Sequence, residues 1–394
     1  MSAALGEVSR QSAIRFIVAL GLISLFADVT YEGARSIHGL FLGSLGAGAA
    51  VIGFVSGAGE LAGYALRLFS GVAADRTRRY WTLTIAGYIL NLVAVPLMAL
   101  AHHWMIAAAL IIAERAGKGL RTPARDVMLS QASGIVGRGW GFGLHEFMDQ
   151  LGAFTGPLLV ALAVKESGQY STAYALLAIP AALSLAALFS AVRIYPDPSR
   201  FEEPAPTRAA QSNTALPTAF WIYVTAAALL AAGFVDFPLI AFHFQKTAAV
   251  TAAVIPVFYA IAMGAEALTA LLFGRMYDRI GMLALVVGVF LAAASTPLVF
   301  FGSFYPALAG MLLWGAGTGA QSSTLRAKIA DLVAPEKRGS AYGIFNTVYG
   351  VAWFAGSAAI GILYGRSLAL TVALAMAAQL AAVPLLFITG RKHS

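Results

Sequence analysis

The sequence predicts an all-α membrane protein: twelve transmembrane helices in two pseudo-symmetric six-helix bundles. Three observations predict it. The chain of 394 residues is 59% hydrophobic and only 11% charged, with a mean hydropathy of +0.78; a soluble domain is about 45–50% apolar and about 25% charged. Twelve apolar runs each approach the roughly 20 residues that a membrane-crossing helix needs. The stretch Glu114–Pro157 also returns without a gap. A shift of roughly 200 positions lays Ala116-Gly117 and Gly119 on Ala316-Gly317 and Gly319, and Arg138-Gly139 on Arg338-Gly339. The same shift lays Gly143, Phe154 and Gly156 on Gly343, Phe354 and Gly356. So long a period indicates two halves rather than a repeat array.

The apolar runs start near Ile14, Val51, Tyr80, Trp104, Gly139 and Thr172, then near Ala219, Ala248, Met282, Phe304, Ser340 and Leu368. Between the halves, Tyr195–Pro217 carries Pro196, Pro198, Pro204 and Pro206 among acids, Arg200 and Arg208. That composition cannot bury a core and reads as an aqueous linker. The expected domains are a first bundle over 1–195, a cytoplasmic linker over 196–217 and a second bundle over 218–394. The polar first residues lack a signal cleavage pattern, and the first apolar run is too long for a signal-peptide core, so it reads as retained.

Lys and Arg set the orientation. With the N-terminus inside, Arg76, Arg78, Arg79, Arg138, Arg275, Arg279, Lys337, Arg391 and others face the cytoplasm, while only Lys165, Lys246 and Arg366 lie outside. Both termini are then cytoplasmic. The net charge of +8 sits in these short segments, the pattern of a membrane protein rather than a nucleic-acid binder. The chain has no cysteine, which excludes disulfides and thiol metal sites.

Ionisable groups at membrane depth cost about 2.5–3.5 kcal/mol each and are functional hypotheses by default. In the first span Asp28, Glu32 and Arg35 are four and three apart and share a face. Asp28 lies mid-run and Arg35 about 10 Å further out. Two readings stand: an internally neutralised packing stack, or a cavity wall where one carboxylate exchanges a proton. The second span carries Gly53, Gly57, Gly59 and Gly63, which allow close helix contact. It also carries Glu60 and Arg67, to which the sequence assigns no role. It ends in Gly71-Val72-Ala73-Ala74-Asp75-Arg76-Thr77-Arg78-Arg79, and the eighth span ends in Gly274-Arg275-Met276-Tyr277-Asp278-Arg279-Ile280-Gly281. The aspartate of such an element caps a helix or holds an arginine across the loop.

A Gly-x-x-x-Asp-Arg-x-Gly-Arg element after the second span, repeated after the eighth, resembles the major facilitator superfamily. The first copy has Arg78 where a glycine is usual; the second keeps Gly281 but has Met282 where a base is usual. Arg115-Ala116-Gly117-Lys118-Gly119 is similar to the family's helix 4 motif, with Lys118 replacing a glutamine. Gly152-Ala153-Phe154-Thr155-Gly156-Pro157 is similar to its helix 5 antiporter motif, without the trailing glycine pair. The wording around Arg121–Asp126 and Met148–Pro157 is similar to a largely uncharacterised, prokaryotic, efflux-like branch. The resemblance covers the whole chain. It implies a central cavity lined by helices 1, 4, 7 and 10, in a prokaryotic cytoplasmic membrane.

On the fourth span Arg115, Gly119, Thr122 and Asp126 share a stripe, and Arg121–Asp126 reads as a charged turn. Glu114 points about 100° away from Arg115, so the arginine is expected to seek Asp28 or Glu32. On the fifth, Glu146, Asp149, Gly152 and Gly156 share a stripe; the resemblance places helix 8, with Glu266, against it. A shared proton and a pair of buried, hydrogen-bonded acids are both open readings there. Access is expected to be poorer than on the first span, because the stripe continues as a glycine ridge. Asp236, in Phe234-Val235-Asp236-Phe237-Pro238, answers Asp28 in the other half; a proline break is acceptable where a cavity is lined. Trp314, Phe345, Tyr349 and Trp353 are cavity wall or packing. His102 and His103 beside Trp104 read as an interfacial anchor, and His145 as a relay or a packing residue.

The expected function is secondary active transport of a small molecule by alternating access, as proton-coupled export. Uptake by symport uses the same residues. A lipid-modifying enzyme or a non-transporting sensor is the reading from another class; it would need an interfacial catalytic constellation or an added soluble domain. No nucleotide loop, metal-ligand cluster or nucleophile elbow appears, so no cofactor, metal or enzymatic role is expected. The expected coupling and cavity residues are Asp28, Glu32, Arg35, Arg115 and Asp236, with Glu146, Asp149 and Glu266 as secondary proton sites. Gly71, Asp75, Arg76, Gly274, Asp278 and Arg279 form the gating loops, and Gly152, Gly156 and Pro157 the helix 5 motif. Expected partners are substrate, protons and membrane lipid, with no nucleic acid and a monomeric chain. The acids suit a cationic substrate, Arg35 and Arg115 an anionic one, so substrate charge stays open.

Overall fold

The computed structural model describes residues 10–201, 216–333 and 337–390. The first span is α1 (Arg10–Arg35), continued after a turn by the short α2 (His38–Ser44). Then follow α3 (Ala49–Thr77), α4 (Tyr80–Leu97), α5 (Trp104–Val136) and α6 (Arg138–Ser167). The sixth span is α7 (Tyr170–Leu176) with α8 (Ala178–Ile194), and the seventh is α9 (Thr218–Ala232) with α10 (Phe237–Thr247). The chain ends with α11 (Ile255–Ile280), α12 (Met282–Phe301), α13 (Phe304–Leu332), α14 (Arg338–Tyr364) and α15 (Leu368–Gly390). Ten of these helical paths are long and apolar enough to cross a membrane. The other two, α5 and α13, are 33 and 29 residues long but more polar. The described residues contain no strand.

Two local expectations are corrected. Arg121–Asp126 is no turn: α5 runs straight through it with Pro123 inside. The helix continues because its charges are matched; Arg121 faces Asp28, and Arg125 faces Asp126 and Asp149. The start of the expected aqueous linker also packs. Phe201, fully buried, stacks on Phe16 at 5.0 Å, and Trp81 Nε1 donates to the Tyr195 carbonyl. The rest of that linker, 202–215, lies outside the described residues, as do Arg391 and Lys392.

The apolar cores differ between the two ends of the bundle. At the end carrying α2 and α10, here the far face, one core is shared by both halves: Ile37, Phe41 and Ala49 join Phe237, Ile240, Phe244 and Phe258. Close backbone contact makes this possible. A methyl on Gly39 would overlap the Pro238 carbonyl, and one on Gly53 would overlap the Ser357 carbonyl of α14. At the opposite, near face the core splits in two. Phe16, Trp81, Tyr88 and Phe201 serve the first half; Phe220, Tyr223, Phe345 and Tyr349 serve the second. The halves share one core at the far face; toward the near face the apolar clusters divide, while α3 and α14 stay in contact through Tyr64 and Tyr349, 5.6 Å apart, and through Leu68 against Gly343.

Candidate functional site

Between the halves lies a cavity of about 450 Å³, inside the roughly 300–1,000 Å³ range of small-molecule sites. Helices α1, α3, α5 and α6 build one wall; Phe234, α11, α13 and α14 build the other.

The first wall is a ladder of matched charges. Deepest, Arg35 Nη2 lies 3.4 Å from Glu60 Oε1 and 3.9 Å from Asp236 Oδ1. Arg115 Nη1 lies 3.5 Å from the same Glu60 oxygen, and its Nε 3.5 Å from Glu114 Oε2. Lys118 Nζ is 3.6 Å from Glu32 Oε1 and 4.0 Å from the centre of the Tyr31 ring. Arg121, 1% exposed, lies 4.2 Å from the Tyr88 ring centre and 3.9 Å from Asp28 Oδ1. Arg125 donates to Asp126 Oδ1 at 2.9 Å and lies 3.7 Å from Asp149 Oδ2. Opposite charges at such distances offset part of the desolvation cost of burying them, and removing one partner would leave the other uncompensated.

The second wall is aromatic. Phe234 lies 5.2 Å from the Trp314 ring and 4.8 Å from the Trp353 ring. Both indoles are locked by their N–H groups: Trp314 donates to the Val235 carbonyl at 3.0 Å, and Trp353 to Asp236 at 3.1 Å. The break between α9 and α10 supplies both acceptors, so the proline-containing segment positions the aromatic wall. Asp236 also accepts from Ser357 Oγ at 2.6 Å. Glu266 is the carboxylate this wall adds to the cavity lining.

The expected residues Asp28, Glu32, Arg35, Arg115, Glu146, Asp149 and Glu266 all line this one cavity, with Asp236 behind Trp353. Three expected relationships are corrected. Arg115 meets neither Asp28 nor Glu32; Glu60 and Glu114 take it. Glu114 does not turn away: it is fully buried, held by Asn91 Nδ2 at 2.9 Å. The fifth-span acids are not screened by a glycine ridge. Gly152 and Gly156 pack on α1, where a methyl would overlap the Leu25 and Val29 carbonyls, and Glu146 and Asp149 open to the same cavity as Asp28. Pro157 lies inside α6, next to that seam. Phe345 and Tyr349 belong to the second half's core, and His103 caps α5 by accepting from the Met105 amide. His145 is both buried and part of the cavity lining, with Ser24 3.1 Å from its Nε2.

Sequence reasoning missed Glu60, Lys118, Arg121 and Arg125 as site residues. Glu60 was open to it: an acid in the middle of an apolar run is itself a signal.

The gating elements sit at the near face. Gly71 and Asp75 line a groove of about 670 Å³ between α3 and α14, facing Ser340, Gly343 and Thr347. Asp75 is exposed. Arg79 rather than Asp75 is the N-cap residue of α4, and no side-chain bond caps that helix. Arg76 lies in the last turn of α3 and Arg279 in the last turn of α11. Asp278 lines a second near-face pocket with Tyr277, Lys328 and Asp331, and Gly274 approaches Ser323.

Spanning helices around a two-walled charged cavity define a polytopic membrane protein built to enclose a small molecule. The chain belongs to the Major Facilitator Superfamily, whose model matches residues 16–357. It is thus a multi-pass secondary transporter and not an enzyme. Uncharacterized proteins of Mycobacterium bovis and Mycobacterium tuberculosis are 44% identical to it over 381 residues, covering 95% of this chain and 93% of theirs. An uncharacterized MFS-type transporter of Methanocaldococcus jannaschii is 25% identical over 352 residues, covering 88% and 87%. A mutant crystal structure of nucleoside transporter NupG matches with a TM-score of 0.74 at 14% identity, covering 95% of this chain and 98% of that one. An inward-facing, occupied bacterial homolog of the human lysosomal transporter Spinster matches with 0.68 at 13% identity, covering 98% and 96%. At such identities these likenesses speak for the fold.

Proposed function

We propose that this protein exports a small molecule across a prokaryotic cytoplasmic membrane in exchange for protons. The observation that carries the reading is the uneven seal between the halves: one shared core at the far face, two separate cores at the near face, and the charged cavity between them. Residues 1–195 rock against 218–394, tethered by 196–217, so that the seal moves from one face to the other. The Lys/Arg bias makes the near face cytoplasmic. The described arrangement is then the inward-open one, ready to load from inside.

Coupling runs through Asp28 and Glu32. Glu32 touches three elements: α1 carries it, Lys118 of α5 faces it, and Tyr259 of α11 donates to it. When the far face opens, Glu32 loses the Tyr259 contact and takes a proton from outside more readily; on return to the inward state the re-formed contact releases that proton to the cytoplasm. Asp236 plays the matching part in the second half, facing Arg35 across the seal. The fifth-span motif favours export over uptake.

The test is transport into proteoliposomes with an imposed pH gradient, over a panel of metabolites and drugs that includes nucleosides. Export by antiport expects substrate to move against the proton flow and to stop when a protonophore collapses the gradient. Movement with the protons makes the protein a symporter. Gradient-independent accumulation ends the proton reading.

A further inference from the structure

We infer that the substrate is an aromatic or flat apolar molecule bearing one positive charge, with the charge placed at Glu266. This deepens the transporter reading and rests on it. The two walls do not offer equal opportunities to a ligand. On the first wall, Arg35, Arg115, Lys118, Arg121 and Arg125 already face carboxylates at 2.9–3.9 Å. Arg35 Nε and Arg121 Nε and Nη1 remain open donors, but each sits on a guanidinium whose charge a carboxylate already faces, so an anionic substrate gains hydrogen bonds there and no unmatched charge. A cation meets no such competition. No Lys, Arg or His among the described residues reaches the Glu266 carboxylate at ion-pair distance.

Two more observations point the same way. Asp28 Oδ1 faces Arg121 only at 3.9 Å and accepts no hydrogen bond, so it keeps acceptor capacity on a residue that lines the same cavity. The wall beside Glu266 is Phe234, Met263, Trp314 and Trp353. Both indole N–H groups are turned into the protein, so a ligand there meets ring carbons. Ring faces attract cations, more strongly where water is excluded. A flat cation engages the Glu266 carboxylate and the rings together, whereas a neutral molecule draws nothing from the carboxylate's charge.

The experiment compares two ions of nearly equal shape, tetraphenylphosphonium and tetraphenylborate. Equilibrium dialysis uses the full chain in lipid nanodiscs, with empty discs subtracted. The cation is expected to bind at least about tenfold tighter than the anion, and Glu266→Gln to weaken the cation by about tenfold or more, as for loss of a buried charge partner. Glu266→Asp is expected to keep part of that affinity, and Phe234→Leu to lose part of it while the protein elutes as a monodisperse peak. Tighter binding of the anion overturns the inference, and so does cation affinity indifferent to Glu266→Gln. Transport is scored apart from binding. Glu266-dependent binding of a cation that proteoliposomes never move leaves the site standing and overturns export of that cation. Proteoliposomes that move another solute, with no cation bound, end the substrate assignment alone.

Discussion

Tyr259 of α11 donates a hydrogen bond to Glu32 of α1, across the seam between the two halves of the chain. The contact sits where the cavity ends and the far-face core begins. Parting of the halves at that face would break it. Tyr259→Phe removes the hydroxyl but keeps the ring on Phe237, 4.3 Å away. A hydrogen bond to a charged group is worth about 1.5–3 kcal/mol net, so the closed-to-open ratio should fall by roughly tenfold or more. The chain has no cysteine, which permits spin labels at Ser44→Cys and Thr247→Cys, at the ends of the packed helices α2 and α10. A long-distance population should grow in the Phe variant. An unchanged distance distribution would mean that this bond does not hold the gate.

The seam between α1 and α6 makes a stability prediction. Gly156 has the Val29 carbonyl where a methyl would go, whereas Gly143 on the same helix has open space. Alanine is the better helix former by about 1 kcal/mol, but overpacking costs about 1–3 kcal/mol. Gly156→Ala should lower the melting temperature, and Gly143→Ala should leave it level or raise it. Parallel shifts in the two variants would rule out packing as the constraint at Gly156.

These contrasts mark where the sequence was legible. Periodicity reports which residues share a face, so it groups Asp28, Glu32 and Arg35, and all three line the cavity. It does not report what that face meets. The stripe Glu146, Asp149, Gly152, Gly156 was visible, but that its glycines serve α1 while its acids face the cavity depends on how α6 crosses its neighbours. Partners fail for the same reason. The helical spacing directs Arg115 to acids of the first span; Glu60, 55 positions before it in the chain, is nearer in space. Pro123 among charges is a sound local sign of a turn. Here tertiary pairing of Arg121 and Arg125 overrides it. The twelve spans were legible because hydropathy over about 20 residues needs no tertiary information.

Topology follows from the Lys/Arg bias. Epitope tags at the N-terminus, between Pro196 and Pro206, and at the C-terminus should be reachable only from the cytoplasm, and one after Lys165 only from outside. A linker tag accessible from outside inverts the orientation, and with it the assignment of the near face.

Asp75 makes the gating prediction. In the described state the groove between α3 and α14 leaves its carboxylate exposed. When the near face closes, the start of α14 should approach it, and the carboxylate should then act in that state alone. Asp75→Asn should slow transport by roughly two- to fivefold, the worth of a partly exposed ion pair, without changing membrane abundance. Asp278→Asn should matter less, because its pocket lies within the second half rather than across the seam. Equal rates for wild type and Asp75→Asn at matched abundance would refute a gate at this aspartate.

The coupling proton separates the acids most sharply. Four of them, Asp28, Glu32, Glu146 and Asp149, share one cavity, so access no longer ranks them. Their partners do. Asp149 is held by Arg125 from the same half, and Glu146 accepts from Gln150 one turn along its own helix. Neither contact must break when the halves move. Glu32 binds Tyr259 across the seam; Asp28 pairs with Arg121 of its own half and joins Glu32 in the ranking only because it lies one turn from it on α1, close enough for a proton on either to change the other's affinity. A carboxylate that loses a stabilising partner in one state takes a proton more readily in that state, which is the condition for linking protonation to rocking. Proteoliposomes with an imposed pH gradient would compare Asp28→Asn, Glu32→Gln, Glu146→Gln and Asp149→Asn. The two α1 variants should lose uphill transport while keeping substrate binding and downhill exchange; the α6 variants should keep gradient-driven transport, at reduced rate. Concentration of substrate by both α1 variants, with loss in an α6 variant, reverses the assignment. Gradient-driven transport in all four removes these acids from the coupling path.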